Sequence, residues 1–395
     1  MELSGKHFEE LLPRLVADIG QLVRCESPSA DLAAVARSAD VVGRVGSALL
    51  GAAPERIVRD GRTHLRWRFG AGPRRVLLVG HHDTVWPLGS LAARPFSVEG
   101  GVLRGPGCFD MKAGLVMALH AVAALGCPDG VSLLVTGDEE LGSPSSRALI
   151  EEEARGCAAA LVLEASADGG ALKTERKGVS WYEVVVHGRA AHAGLEPHLG
   201  VNATIEAAHQ VLAVSALGDD AAGTTVTPTV LTSGTTGNTV AAQGRFSVDV
   251  RVRGAAEQDR VDAAMHGLRP VLDGARIEVL GGPNRPPLAA GASRDLFARA
   301  AALAEGLGIG PLRQVAVGGA SDGNFTAGVG TPTLDGLGAV GGGAHADHEH
   351  VEVAELPRRT ALVAALVHHL LAEERGGAAP SGTAGRAAHS RPGTP

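Results

Sequence analysis

The chain contains little cysteine and has no long apolar run. Its four cysteines, Cys25, Cys108, Cys127 and Cys157, show no C-x-x-C spacing and no clustering. A disulfide framework or a thiolate zinc site is therefore not expected, and the cysteines fit a reducing cytoplasm. No apolar run reaches the ~20 residues that a membrane-spanning helix needs. The first segment mixes acids and bases in a helical pattern, unlike a signal peptide, so we expect a cytoplasmic protein without a membrane partner.

The sequence also lacks long runs of charge of one sign. The formal net charge of the 395 residues is -7, and acids and bases are mixed without long single-sign runs. This mild balance does not favour a polyanion as ligand, and nucleic acid is not an expected partner. An apolar content of 45% in a chain of this length supplies cores for two domains of ordinary size.

What the sequence does contain is an alternation of strands and helices in its first half. Short apolar runs at 74–80, 131–137 and 158–164 predict buried strands, and the helical spacing of 111–126 predicts a helix between the first two. This order is typical of an α/β fold, in which a mostly parallel sheet is flanked by helices.

The pattern changes after residue 177. Residues 178–287 have the order strand, helix, strand, strand, helix, strand, which is that of a split β-α-β or ferredoxin-like α+β unit. The α/β pattern then returns, with a final helix near 357–374. We therefore predict a first domain at 1–177 and 288–374 that is interrupted by an inserted domain at 178–287. Residues 375–395 are rich in Gly, Ala, Pro and Ser and predict a disordered tail.

Acidic and imidazole side chains follow the apolar runs. They are His81, Asp110, the pair Glu139–Glu140, Glu164 and His345. In open α/β sheets the site lies beyond the carboxyl ends of the strands, so we expect these side chains to lie close together. Together they form the ligand inventory of a two-metal hydrolytic centre, with one carboxylate to spare.

Each of these residues also has an ordinary structural interpretation. His81 would serve as a hydrogen-bonded loop histidine, Asp110 as the N-cap of the helix that follows it, and Glu139–Glu140 as a solvated acidic loop. The last interpretation is the weakest, because Asp138 precedes this pair. Three consecutive acids beyond an apolar strand repel one another unless a cation neutralises them.

Two neighbours of His81 are also polar. Asp83 lies two residues further on, a spacing that puts both side chains on one side of an extended segment. A carboxylate in that position could fix the tautomer of the His81 imidazole, as partners of metal-binding histidines usually do. We interpret His82, between them, as a structural histidine.

Eight segments, in order, resemble the dinuclear zinc exopeptidase family that contains glutamate carboxypeptidases, aminoacylases and succinyl-diaminopimelate desuccinylases. They are GHHDTV, GPGCFDMKAG, TGDEELGS, LVLEAS, GRAAHAGLEPHLGVNA, NRPP, GGASDGN and GGGAHADHEHV. The resemblance is strongest to the glutamate carboxypeptidase branch. It implies that the α/β domain is catalytic and that the inserted domain serves in dimerisation or as a lid.

The resemblance also implies a metal centre. Asp110 would bridge two zinc ions per chain, for which Co²⁺ or Mn²⁺ could substitute. His81 and Glu164 would complete one site, and Glu140 and His345 the other. Histidine and carboxylate ligands with open positions suit catalytic zinc, which lowers the pKa of a bound water to about 7.

Catalytic roles follow from the same resemblance. Glu139 would be the general base, which takes a proton from water and gives it to the leaving nitrogen of an amide. Asp83 would be the partner of His81. His192, in the inserted domain, would be presented to the active site of a dimer partner to stabilise the oxyanion. A homodimer is therefore expected.

Four further residues would contact the substrate by resemblance: Asn238, Arg251, Arg285 and Gly319. The two arginines suit a carboxylate because a guanidinium makes bidentate contacts. Arg251 could equally be an exposed charge on a strand, and Gly319 could belong to a flexible turn.

Three functions are compatible with these residues. The first is a metallopeptidase that releases a C-terminal amino acid from a small peptide, in the manner of glutamate carboxypeptidases. The second is an N-acyl-amino-acid deacylase that uses the same chemistry on a smaller acyl group. The third is a family member that has lost catalysis and acts as a binding protein, which the complete ligand set and Glu139 disfavour.

Overall fold

A six-stranded, largely parallel sheet lies at the centre of the structure, a computed structural model that describes residues 5–377. In sheet order its strands are β1 (Glu55–Arg59), β2 (Arg62–Arg68), β6 (Val131–Thr136), β3 (Val76–His81), β7 (Ala159–Val162) and β14 (Thr333–Leu334). The last four run parallel, and the hairpin β1–β2 adds antiparallel strands at one edge. The predicted mostly parallel sheet is confirmed.

Helices cover both faces of this sheet, because its central strands are apolar on both sides. Leu78 on β3 packs into the larger core, whereas its neighbours Leu77 and Val79 pack on the opposite face with Leu149 and Phe325. The helices of this part are α1 (Gly5–Glu10), α2 (Leu12–Val23), α3 (Leu32–Leu50), α4 (Ser90–Ala93), α5 (Ala113–Ala124), α6 (Arg147–Ala154), α9 (Ala290–Gly306), α10 (Gly323–Gly328) and α11 (Glu355–Gly377).

A four-stranded antiparallel sheet forms a second layer. Its strands, in sheet order, are β10 (Thr225–Ser233), β11 (Gln243–Val252), β9 (Gly178–His187) and β12 (Arg276–Arg285). Helices α7 (Ala203–Ser215) and α8 (Ala255–His266) pack on one face of it. The element order β-α-β-β-α-β is the one predicted, and we propose that residues 178–287 form the inserted domain. Helix α8 ends at His266, four residues before Pro270, which has no backbone N–H to continue a helix.

Two small sheets complete the structure. One contains β15 (Gly341–Gly342), β16 (His350–Glu352), β5 (Val102–Arg104) and β4 (Ser97–Glu99), and the other pairs β13 (Gln314–Val317) with β8 (Leu172–Arg176). These six strands have two to five residues each and were not predicted from the sequence. The first of these sheets brings the segment that follows His345 beside the loop that carries Asp110.

The chain end differs from the prediction at one point. Helix α11 continues to Gly377, past the predicted start of the tail at 375, and the rest of the predicted tail lies outside the described residues. Within residues 5–377, no helix combines the length and apolar character that a membrane span requires.

Helix α5 packs closely against the end of β7, and Gly114 makes this possible. A Cβ on Gly114 would lie 2.1 Å from the carbonyl oxygen of Leu163, a backbone atom that cannot rotate away. Gly114→Ala should therefore lower the free energy of unfolding by roughly 1–3 kcal/mol, measured by urea titration. Gly291→Ala is the matched control, because no atom lies within 4 Å of its Cβ position. Equal stability of the two variants would contradict this account of the packing.

Candidate metal centre

Five side chains from separate segments converge beyond the carboxyl edge of the parallel sheet. His81 ends β3, Glu140 and Glu164 follow the neighbouring strands β6 and β7, Asp110 precedes α5, and His345 follows β15. The ends of adjacent parallel strands meet at one edge, so residues distant in sequence become neighbours. We call these five residues the cluster.

One half of the cluster surrounds His81. Its Nε2 lies 3.4 Å from Oδ1 of Asp110 and 3.5 Å from Oε1 of Glu164. The imidazole is 1% exposed, and among the described residues its Nε2 has no hydrogen-bond partner. A buried nitrogen that faces two carboxylates without bonding to either fits a position for a cation between the three groups.

The other half surrounds His345. Its Nε2 lies 3.2 Å from Oδ2 of Asp110 and 3.2 Å from Oε1 of Glu140. Asp110 thus turns one oxygen toward each histidine. Within each half, one ligand atom per residue can be chosen so that all lie within 4.8 Å of one another. The geometry fits two cations that share Asp110.

The electrostatics of the cluster favour positive charge at both histidines. Hydrogen bonds to Asp110 and Glu140 raise the pKa of His345 to about 10. Burial lowers the pKa of His81, but Asp110, Asp83 and Glu164 outweigh it and raise that pKa well above its usual value. The carboxylates therefore stabilise cationic charge at these nitrogens, which a divalent metal supplies when it displaces the protons.

Asp83 contacts both His81 and the acidic turn that follows β6. His81 Nδ1 lies 3.0 Å from the backbone carbonyl of Asp83 but 3.5 Å from its carboxylate. The carboxylate also accepts hydrogen bonds from the N–H groups of Glu139 and Glu140, both at 3.2 Å, and from Ser29 Oγ at 2.6 Å. The carbonyl makes Nδ1 the donor and leaves Nε2 for the cluster, while the carboxylate holds the acidic turn.

Glu139 lies beside the cluster in contact with Arg285. Arg285 Nη2 donates to Glu139 Oε1 at 2.8 Å, to Ser143 Oγ at 2.9 Å and to Asp322 Oδ1 at 3.3 Å. Burial raises the pKa of Glu139 well above its usual value, against the opposing effect of Arg285. The guanidinium of Arg285 therefore lies beside the cluster and pairs with two carboxylates of the protein. Whether it also binds a substrate carboxylate stays a prediction.

Arg251 lies near Arg285 within the four-stranded sheet. Both residues pair in register with Val179 of β9, one from each side. They therefore belong to one row of the sheet, on the face opposite α7 and α8. The guanidinium of Arg251 is half-buried and forms an ion pair with Asp249, with Nε and Oδ1 2.7 Å apart.

His192 and Asn238 are not part of the cluster in this chain. Both are exposed, and the N–H of Ala193 donates to the carbonyl of Asn238 at 2.9 Å, so the two segments are neighbours. Nδ1 of His192 accepts from the N–H groups of Gly194 and Leu195, both at 3.1 Å. Its Nε2 must then carry the proton in the neutral imidazole and is available as a donor.

Sequence reasoning missed a second arginine at the site. Arg176 is buried, donates from Nε to Asp335 Oδ2 at 2.7 Å and from Nη1 to the carbonyl of Gly319 at 3.0 Å, and lies 3.7 Å from Glu164. It connects Gly319, a predicted substrate contact, with the cluster. The sequence feature that could have identified Arg176 is its position at the end of β8, directly before the strand pattern changes after residue 177.

Comparison with known proteins decides the family. The sequence model of peptidase family M20/M25/M40 matches residues 77–369. The chain belongs to this family. As an M20 peptidase it is a metal-dependent hydrolase of peptide or related amide bonds, and its predicted resemblance to the zinc exopeptidases is confirmed.

Relatives of this M20 chain differ in their named activities. It is 34% identical over 314 residues to carboxypeptidase G2 from a Pseudomonas strain, and the match covers 76% of this chain and 75% of that protein. It is 29% identical over 334 residues to succinyl-diaminopimelate desuccinylase 2 of Shewanella loihica, and this match covers 78% of this chain and 88% of that protein. The M20 metallo-carboxypeptidase Sso-CP2 of Sulfolobus solfataricus has the same fold, with a TM-score of 0.70 at 16% identity over 91% of this chain and 99% of that one.

Proposed function

We propose that this M20 peptidase is a di-zinc carboxypeptidase that releases a C-terminal amino acid, with glutamate as the first candidate. The observation that carries the proposal is the shared carboxylate of Asp110, which turns one oxygen to each half of the cluster beside a buried Glu139. The similarity to carboxypeptidase G2 supports the choice of substrate class. N-acyl-amino-acid deacylation is the alternative, which the similarity to a desuccinylase supports.

The cluster residues divide between two cations in this proposal. His81, Asp110 and Glu164 would hold one, and Asp110, Glu140 and His345 the other. Zn²⁺ is favoured by this set of imidazole and carboxylate donors, and Co²⁺ or Mn²⁺ could replace it. When bound, the cations supply Lewis-acid polarisation of the amide carbonyl and make a neighbouring water more acidic.

The chain's own residues then move the proton. Glu139 takes a proton from the attacking water and donates it to the leaving nitrogen, and its burial makes the carboxylate more basic and so better suited to this task. His192 of a dimer partner would donate from Nε2 to the oxyanion. Arg285 and Arg251 would orient the free carboxylates of the substrate, with Asn238 and the Gly319 segment as further contacts.

The homodimer is proposed from exposed apolar surface on the four-stranded layer. Strand β10 is an edge strand with an unpaired side, and it exposes Val230 (62%) and Leu231 (51%). Helix α7 beside it exposes Leu212 (72%). Pairing two such edges across a two-fold axis would cover this surface. The cysteines show neither C-x-x-C spacing nor clustering in the sequence, which supports the proposed cytoplasmic location.

The main test pairs metal analysis with the variant Glu139→Gln. The native chain should bind about two Zn²⁺ and lose activity when a chelator removes them. Glu139→Gln should keep both ions while turnover falls about 10²–10⁴-fold, since Glu139 moves a proton but holds no metal. Glu140→Gln, one residue away, is the control and should lose metal. Full activity without metal would refute the proposal, and an exchange of the two phenotypes would reverse the two assignments.

Arg285→Ala tests the carboxylate contact. The Michaelis constant should rise strongly for substrates with a free carboxylate, by the equivalent of about 2–5 kcal/mol. Turnover should fall too, because Glu139 loses its ion pair. Preference for a carboxylate over its carboxamide should disappear, as steady-state kinetics on both substrates will measure. If the variant keeps the preference, Arg285 is structural and Arg251, tested in parallel as Arg251→Ala, becomes the candidate.

Leu212→Glu tests the dimer. A charge at this exposed position of α7 should weaken association and lower specific activity at dilutions where the chains separate, because His192 then leaves the partner's site. Sedimentation over a concentration series will measure both states. Val58→Glu is the control, since Val58 is 58% exposed on β1, away from α7 and β10. A monomeric native chain with full activity would contradict the dimer.

A further inference from the structure

A buried carboxylate outside the cluster, Glu349, accepts four hydrogen bonds at the edge of the site. It is 4% exposed. Its Oε2 accepts from the indole Nε1 of Trp86 at 2.8 Å and the N–H of Gly107 at 2.9 Å. Its Oε1 accepts from the N–H groups of Phe109 at 2.9 Å and Asp110 at 3.1 Å. Removing this acceptor would leave buried donors without partners.

Glu349 joins three segments that each carry a member of the cluster. Trp86 lies five residues after His81, the bonded amides end at Asp110 itself, and Glu349 lies four residues after His345. The cluster residues come from sequence positions far apart, so their separations depend on contacts such as these between loops. Glu349 is the point at which the three loops meet.

The connection from Glu349 to His345 is short and stiff. The N–H of Ala346 donates to the carbonyl of Gly343, and the N–H of Glu349 donates to the carbonyl of Ala346, both at 2.9 Å. His345 adopts a left-handed backbone conformation within this turn, with φ of 61°. A displacement of the Glu349 carboxylate would therefore be transmitted to the His345 ring.

We propose that Glu349 is a positioning residue that sets the distance between Asp110 and His345, and thereby the metal affinity of the cluster. This role rests on the proposed function. A carboxylate is required because all four partners are donors, whereas a glutamine would offer one acceptor oxygen and turn its own N–H groups toward the others. Both cation sites take two of their three ligands from segments that Glu349 joins. The site made of Asp110, Glu140 and His345 depends on it most, because Glu349 accepts directly from the N–H of Asp110 and lies four residues after His345.

The test is a Zn²⁺ titration of chelator-stripped Glu349→Gln against a competing chelator. Affinity should fall about 10–100-fold, the usual effect of removing a group that orients metal ligands. In the Co²⁺-loaded chain the visible absorption bands should shift, since the ligand geometry changes. If Glu349 had only a structural role, its substitution would change neither the Zn²⁺ affinity of the folded protein nor the Co²⁺ absorption spectrum.

Glu206→Gln is the matched control. Glu206 is a fully buried carboxylate of α7 that accepts from the N–H groups of Val271 (3.0 Å) and Leu272 (2.7 Å) and from Gln210 Nε2 (2.7 Å), in the four-stranded layer. Its substitution should lower the thermal midpoint without changing Zn²⁺ affinity. Trp86→Phe removes the single donor Nε1 and keeps an aromatic side chain, so it tests the same contact if Glu349→Gln does not fold. It should weaken Zn²⁺ binding to a smaller extent.

The outcomes separate this role from the proposed function. Two ions on the native chain and weaker binding by Glu349→Gln or Trp86→Phe support the role. Native stoichiometry with unchanged affinity and spectrum in the variants overturns the role alone. A native chain that binds no Zn²⁺ overturns the proposed function, and the role of Glu349 with it.

Discussion

Buried negative charge at the carboxyl edge of the parallel sheet is the constraint on which the rest of the structure depends. Burial raises the pKa of both Glu139 and Glu140, the expected response of carboxylates that are withdrawn from water near one another. Carboxylates buried together in this way are stable only where positively charged groups lie beside them. His81 and His345 do this from within the α/β layer, and Arg285 does it from the end of the neighbouring four-stranded sheet.

The carboxylates that surround the cluster are compensated in a different way. Asp83 and Glu349 accept backbone N–H groups from the turns that carry Glu139, Glu140 and Asp110. Amide dipoles need no counter-ion, and each bond fixes a stretch of backbone as well as a charge. The same contacts therefore lower the electrostatic cost of burial and hold the loops that carry the cluster in one geometry, as the proposed metal site would require.

The fold and most of the cluster could be predicted because their signals are local. Strand and helix periodicity identified the elements, and the parallel sheet rule placed His81, Glu140 and Glu164 at one edge. The contacts that orient these residues could not be predicted. Arg285 meets Glu139 across 146 residues and Glu349 meets Phe109 across 240, and no spacing rule connects them.

The proposed substrate contact of Arg285 would link substrate recognition to proton transfer. Its carbonyl accepts from Gln258 Nε2 of α8 at 3.0 Å, whereas its guanidinium contacts Glu139 and Asp322 on the α/β side. The four-stranded layer thus holds its backbone and the catalytic edge holds its side chain. A substrate carboxylate that engaged this guanidinium would compete with Glu139 for the same charge and so change the basicity of that carboxylate. Arg285→Ala would then change binding and turnover together, so its contact with the substrate is measured by the preference for a carboxylate over its carboxamide and not by the Michaelis constant alone.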